Sequence, residues 1–354
     1  MKKTLFILSI LLLLILYCER DKSSVNSLNY GNIYKDLSGV ISLKDSPFYI
    51  NGPARVPKGK TLIIEPGVTI IFKAANKESG DFDWHDSTVD VGFLRVDGKL
   101  IAQGTPNDSI IFTKCSPDSN DFWGIIHFSE TADSSSVISF SRIEYASYIW
   151  GIESRVIGSG ITCWFSNITI KNNLIQNNYD FGVYLSNSET LIENNTIKNC
   201  LFGIKTWAFY HYAHLQPVIR NNIVIHNRWM GIAIFKPNPI LENNTICYNI
   251  NHGINIEVIQ NQKSINNIIW GNGNAQVFLG FLATINLSYS DIEGDWPGIG
   301  NTDKDPLFVD PQNDNYHLSA NSPCIDAGSP LPDYNDHDGS RNDMGAYGGP
   351  HGNW

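Results

Sequence analysis

The run Trp207-Ala208-Phe209-Tyr210-His211-Tyr212-Ala213-His214 gathers flat rings with polar tips into one short stretch. Such side chains stack on the apolar faces of sugar rings while their donors reach hydroxyls. Trp207, Phe209, Tyr210 and His211 are therefore candidates for glycan contact, together with Phe235 and Asn255 further along the chain. Lys205, with Tyr184 and Glu153, is the best combination for proton abstraction, an amine serving as base beside a phenol and a carboxylate. The same lysine equally suits a solvated charge paired with Glu153. In Asp333-Tyr334-Asn335-Asp336-His337-Asp338-Gly339, Asp336 and Asp338 supply oxygen ligands in an Asp-x-Asp-Gly order reminiscent of calcium loops. The full EF-hand pattern fails, because Tyr334 sits two residues before Asp336 and no Glu follows at the required distance. A second acidic run, Asp81-Phe82-Asp83-Trp84-His85-Asp86, has no recognised ligand spacing. No cofactor is required by these residues, and Ca2+ is the one ion they would suit. His226 and His317 have no ligand partner by spacing.

The elements that position these residues must come from a large core. The chain has 354 residues, 42% apolar and only 17% charged, enough to bury one. A net charge of −10 excludes nucleic acid as a partner and sets up mild repulsion toward acidic polymers unless a cation bridges them. Six cysteines do not make a disulfide scaffold at this length, and most are expected to be buried small hydrophobes. Lys2 and Lys3 precede an uncharged run of 13 residues from Leu5 to Tyr17. At about 1.5 Å per residue this run cannot cross a bilayer core of about 30 Å, so it reads as an export signal.

From residue 170 the chain repeats itself. The pairs Asn172-Asn173, Asn194-Asn195, Asn221-Asn222, Asn243-Asn244 and Asn266-Asn267 are spaced by 22, 27, 22 and 23 residues. Another asparagine follows each pair: Asn178, Asn199, Asn227, Asn249 and Asn272. Gly182, Gly203, Gly231 and Gly253 then open short alternating strands. No unit holds an apolar stretch long enough for a helix, and β-branched residues dominate. Three short strands and three turns consume about 22 residues, one rung of a parallel β-helix. Stacked rungs place like positions about 4.8 Å apart, so asparagine amides can hydrogen-bond up and down a turn column. Val183, Leu185, Ile204, Thr206, Ile232, Ile234, Ile254, Ile256, Val277 and Leu279 are expected to point inward. The alternate residues are expected to form an exposed strip, its inner row His127, Glu153, Tyr184, Lys205, Ala233, Asn255 and Phe278. Its outer row is expected to run Ser129, Arg155, Ser186, Trp207, Phe235, Glu257 and Gly280.

These residues resemble right-handed parallel β-helix proteins of the pectin-lyase-like superfamily. Leu62-Ile63-Ile64-Glu65-Pro66-Gly67-Val68 and Leu94-Arg95-Val96-Asp97-Gly98 look like early rungs of such proteins. Asp305-Pro306-Leu307-Phe308-Val309-Asp310, Ser322-Pro323-Cys324-Ile325-Asp326-Ala327-Gly328 and Asp343-Met344-Gly345-Ala346-Tyr347 resemble a C-terminal module called choice-of-anchor Q. Leu14-Ile15-Leu16-Tyr17-Cys18 resembles a bacterial lipoprotein signal with Cys18 as the lipidation site, departing at Tyr17, where that family has a small residue. The implied chain is all-β: a signal peptide over 1–18, a polar tether over 19–30, a single-stranded right-handed parallel β-helix with an N-terminal cap over 31–300, and an irregular Pro/Gly-rich module over 301–354. The cap is expected over Asn32 to Asn51, and the tail at or near the other end.

The resemblance implies an exported protein, either an outer-membrane or cell-surface lipoprotein or a secreted one, touching membrane only through a lipid at Cys18. The strip and the aromatic loop favour a monomer that binds a polysaccharide or cell-surface glycan without catalysis. The alternative is a polysaccharide lyase or other carbohydrate-active enzyme of the superfamily, using Lys205, Tyr184 and Glu153. Polygalacturonase motifs are absent in order: there is no Asp-Asp, and the one Asn-Thr-Asp, at 301–303, lies beyond the repeats.

Overall fold

The computed structural model describes residues 34–76, 91–116, 121–149, 157–257, 262–280 and 283–352. The Cys18 leader, the tether, the Asp81–Asp86 run, Glu153 and Arg155 lie outside the described residues. Within them the chain winds as a right-handed parallel β-helix, each turn contributing one strand to each of three parallel sheets. Sheet A runs from Lys35–Asp36 to Ala275–Leu279, sheet B from Gly39–Ile41 to Ile285–Ser288, and sheet C from Phe48–Ile50 to Asp291–Ile292. The described residues of the segment expected to cap the N-terminal end form the first rung itself: Lys35 pairs with Ala54, Val40 with Ile63, and Phe48 with Ile70.

Alternation in each strand drives one side chain inward per rung, and like residues stack. Ile204, Ile232 and Ile254 of sheet A, Ile192, Ile219 and Leu241 of sheet B, and Ile197, Val224 and Ile246 of sheet C are fully buried in one continuous core. Each such aliphatic contributes about 1.5–3 kcal/mol before the entropy of ordering it is deducted. In the early rungs the core is aromatic: Phe72 stacks on Trp123 at 4.0 Å, and the Trp123 indole N–H donates to the Glu144 carbonyl at 2.7 Å.

The two asparagines of each pair have different tasks. The first adopts a left-handed backbone, with φ of 56° at Asn172, 57° at Asn194, 53° at Asn221, 50° at Asn243 and 60° at Asn266. Asparagine tolerates this region better than other residues with a Cβ. The second turns inward and joins a buried ladder. The Oδ1 atoms of Asn195, Asn222, Asn244 and Asn267 each accept the preceding rung's backbone N–H at 2.9 to 3.1 Å and its side-chain amide at 3.0 to 3.1 Å. Ser290 and Asn301 continue the ladder to the last rung. A second ladder runs through Asn178, Asn227, Asn249, Asn272 and Gln276. Cys200, not Asn199, occupies its second rung: the Cys200 N–H donates to Asn227, while Asn199 is exposed with φ 57°.

The tail lies near the far end of the stack, alongside its last rungs rather than over the top of them. Trp296 packs against the core at that end, and the chain from Asp305 doubles back along the outer side of sheet C. There Tyr316, Cys324, Met344 and Ala346 bury Ile223, Ile225, Cys247 and Ile268. Asn221 donates to the carbonyls of Ala346 and Gly348, Asn243 to those of Asp343 and Gly345, and the Ser329 N–H donates to Asn266. The first asparagines of the pairs thereby also dock the tail.

No helix among the described residues is long and apolar enough to cross a membrane. Cys163, Cys200, Cys247 and Cys324 are free and buried, as expected for small apolar side chains.

Replacing Asn222 with Ala strands the N–H of Asn195 and removes amide donors to Ile192 and Arg220. This substitution is expected to cost about 3 kcal/mol or more. Asn199→Gly, outside the ladder and in a backbone conformation glycine accepts, is expected to change stability by less than about 0.5 kcal/mol. Thermal unfolding of the two variants checks the contrast.

Candidate functional site

Sheet A presents three columns of outward side chains in register. The middle column reads Asp36, Arg55, Arg95, His127, Thr162, Tyr184, Lys205, Ala233, Asn255 and Phe278. Thr162 thus holds the place expected for Glu153, because the strand between His127 and Tyr184 is Ile157–Trp164. On one side runs a column through Phe181, Phe202, Met230 and His252, and on the other Trp164, Ser186, Trp207 and Phe235. Trp164 stands where Arg155 was expected. Glycines at 182, 203, 231 and 253 allow rungs to approach closely beside these columns. A Cβ on Gly203 would come within 2.6 Å of the Gly231 carbonyl and 2.5 Å of Val224.

Lys205 lies at the centre of the aromatic region. Its ammonium is 4.9 Å from the ring centroid of Phe181, 5.5 Å from Phe235, 5.7 Å from Phe202 and 5.9 Å from Tyr184. Such contacts strengthen as water is excluded. Burial pulls the Lys205 pKa below the usual lysine value, opposed only by the charge of Asp180. Among the described residues Lys205 forms no ion pair. Tyr184 lies on the adjacent rung as expected, but Glu153 is not described, so the proposed base has one of its two neighbours in place.

The aromatic face is only partly open. Tyr184 and Asn255 are buried, the latter 3% exposed, so Asn255 offers a ligand little surface. Phe235 is 37% exposed and Phe278 41%. Trp207 packs edge-on against Phe209 at 4.5 Å, and Phe209 and Tyr212 fold over Phe165 at 6.4 and 5.0 Å. The loop therefore packs onto a rung two levels away while Phe209 stays partly exposed. Tyr210 begins the short 3-10 turn Tyr210–Tyr212, and its side chain is outside the described structure. His211 is exposed, and its carbonyl accepts the Nδ1–H of His214 at 3.0 Å. Phe181, Phe202 and Trp164 belong to this surface but were not among the expected site residues. Phe181 and Phe202 each stand just before a repeat glycine, a signal visible once the repeats are aligned on Gly182 and Gly203.

Toward the N-terminal end the middle column is charged but paired: Arg55 with Asp36 at 2.8 Å and Arg95 with Asp97 at 2.7 Å. Beside them His127 is 1% exposed, with neither ring nitrogen hydrogen-bonded among the described residues. Burial, with the Arg95 charge adding to it, pushes His127 down to about 3.

In the tail, Asp336 accepts the N–H groups of Asp343 at 3.0 Å and Gly349 at 2.5 Å, while Asp338 accepts the Ser340 N–H at 2.9 Å. These carboxylates hold a turn together, and no group of three or more His, Cys, Asp or Glu side chains poised for a metal occurs among the described residues. A cavity of about 150 Å³ lies between sheet C and the tail, lined by Ile268, Tyr316, Leu318 and Met344. It is remote from the aromatic face.

His127 supplies a pH prediction. Its folded pKa of about 3 lies below the ordinary 6.5, so between those values the unfolded chain binds more protons. Stability contributed above pH 6.5 is lost as pH falls toward 3. Wild-type Tm is expected to fall more steeply over this window than that of His127→Phe; equal slopes would mean the ring titrates as if exposed.

Residues 159–307 match the family model for the right handed beta helix region. No curated protein matches the chain in sequence. A mutant of the periplasmic alginate epimerase AlgG superposes with a TM-score of 0.51 at 15% identity, over 81% of this chain and 77% of that one. A double mutant of AlgG gives a TM-score of 0.41 at 15% identity, over 72% and 78%. What the chain shares with AlgG at this identity is the fold, a right-handed parallel β-helix.

Proposed function

We propose that the protein binds a polysaccharide along the outer face of sheet A, as an exported protein. The observation that carries this reading is a run of partly exposed rings, Trp207 and Phe235 on adjacent rungs and Phe278 two rungs beyond Phe235 in the neighbouring column, with Phe235 5.5 Å from the Lys205 ammonium. A polymer lying along the helix axis would meet a new rung about every 4.8 Å, so a long ligand gains contacts that a monosaccharide does not. Ring faces stack on sugar faces, and Lys205, already largely desolvated, is placed to meet an oxygen-rich or anionic substituent. The AlgG fold likeness supplies a precedent for a periplasmic β-helix that handles a polysaccharide. Export through the Leu5–Tyr17 leader and a lipid at Cys18 belong to the same proposal.

Trp207→Ala and Phe235→Ala are each expected to weaken retention on a glycan array about tenfold while lowering Tm by no more than about 2 °C. Unchanged retention across both variants overturns the site.

A second reading, a polysaccharide lyase, is favoured by the lowered Lys205 pKa, which increases the fraction of free amine available as base. Incubation with a panel of uronic-acid polymers and calcium would then generate the ultraviolet absorbance of unsaturated uronates, and Lys205→Ala would abolish it. Absence of that signal across the panel retires the lyase reading and leaves the binding reading intact.

A further inference from the structure

From the rung of Phe181 to that of Gly280, the outward columns of sheet A hold two charged side chains among the described residues, Lys205 and Glu257. Burial lowers the His252 pKa and keeps that ring uncharged at neutral pH. Glu257 lies just past the strand His252–Ile256, yet the ladder runs on through it. Its N–H donates to the Ile234 carbonyl at 2.8 Å, and the Gly280 N–H donates to the Ile256 carbonyl at 2.8 Å. Glu257 therefore stands over Phe235, in the outward column that also holds Trp207, with Gly280 on the rung beyond. A Cβ on Gly280 would collide with the Glu257 carboxylate, so that carboxylate lies over bare glycine backbone, partly exposed. Like Lys205, Glu257 forms no ion pair among the described residues.

The two charges face different parts of a bound ligand. They are two rungs apart and two residues apart along the strand, so at about 4.8 Å per rung and about 3.3 Å per residue their Cα atoms stand about 12 Å from each other. The Lys205 ammonium is turned among rings, and the Glu257 carboxylate is turned over the next rung. Phe235 stands between them, its ring 5.5 Å from the ammonium. Rings strip water from an ammonium without supplying an anion, so an acidic group of a ligand would complete the Lys205 site. A single carboxylate is too few oxygens for a calcium ion, whereas a ligand ammonium needs only that carboxylate and neighbouring hydroxyls.

We infer that the polysaccharide bound on sheet A carries charges of both signs, an acidic substituent seated on Lys205 and a free amine seated on Glu257, with Phe235 stacking on the sugar between them. Such a polymer also answers the net charge of −10, which repels a purely acidic chain. The inference rests on sheet A being the polysaccharide face and specifies the polymer which that face takes.

Four soluble polymers on one β-1,4-linked backbone separate the contributions. Carboxymethyl chitosan carries acids and amines, carboxymethyl cellulose acids only, chitosan oligosaccharides amines only, and hydroxyethyl cellulose neither. In calorimetric titrations of the full chain with EDTA present, carboxymethyl chitosan is expected to bind about tenfold or more tightly than each of the others. Lys205→Gln is expected to remove its advantage over chitosan, and Glu257→Gln its advantage over carboxymethyl cellulose. Gly280→Ala keeps the Glu257 charge but fills its seat, and is expected to shrink the second advantage alone. Asp303→Asn, exposed in the tail, alters net charge as Glu257→Gln does and is expected to leave all four affinities unchanged. Equal binding of the four polymers overturns the two-charge inference and leaves the sheet A face standing. So does a preference that persists in both Lys205→Gln and Glu257→Gln, or one that Asp303→Asn reduces equally. Wild type that binds none of the four, or binding untouched by Trp207→Ala and Phe235→Ala, overturns the face along with the inference.

Discussion

Buried turns are the difficulty of this architecture, and side-chain amides resolve it. A strand satisfies its backbone through its neighbours, but a tight inward turn between two strands presents N–H and C=O groups that no water reaches. Here the carboxamide of one rung accepts the turn N–H of the rung before, while its own amide donates to a carbonyl of that rung and to one of its own. Because each amide serves the next, the ladder is satisfied only when rungs are in register. Register in turn places Tyr184 beside Lys205 and Trp207 beside Phe235. The surface chemistry is a downstream consequence of a backbone requirement.

That dependence explains what could be read from the chain directly. The Asn pairs repeat because every rung faces the same turn problem, so spacing alone located the ladder and the inward column from Val183 to Val277. Cys200 interrupts the pattern: it fills a rung of the second ladder as a buried thiol whose N–H still donates to Asn227, and Asn199 next to it imitates the missing amide. Upstream of residue 170 the rung length is irregular. Counting from the repeat therefore placed Glu153 where Thr162 stands, and a register error on a surface column exchanges one chemistry for another. The site was legible in its rings and in Lys205. It was not legible in its depth, since the burial of Asn255 and Tyr184 depends on side chains from neighbouring rungs.

The three faces of the rod have distinct surroundings. Sheet C is covered by the chain's own tail, sheet A bears rings around one ammonium, and sheet B bears an apolar column through Leu191, Val218 and Ile240. A single sequence period produces all three, because each rung visits every face once and only the outward residues vary freely. Inward positions are held to aliphatic residues by the core, which is why function in such a rod is written in the alternate residues.

The tail has one more consequence, concerning how such a chain can evolve. Solenoids in general tolerate gain or loss of whole units, because each unit touches only its neighbours. Here Lys198 meets Asp314, Asn221 meets Ala346, Asn243 meets Asp343 and Asn266 meets Ser329, so one continuous strap is fastened at four successive levels. An extra unit inserted between any two of these levels would part the fastenings by about 4.8 Å, beyond hydrogen-bond reach. The strap acts as a ruler that fixes the number of units beneath it, leaving growth and shrinkage to the stretch before residue 190.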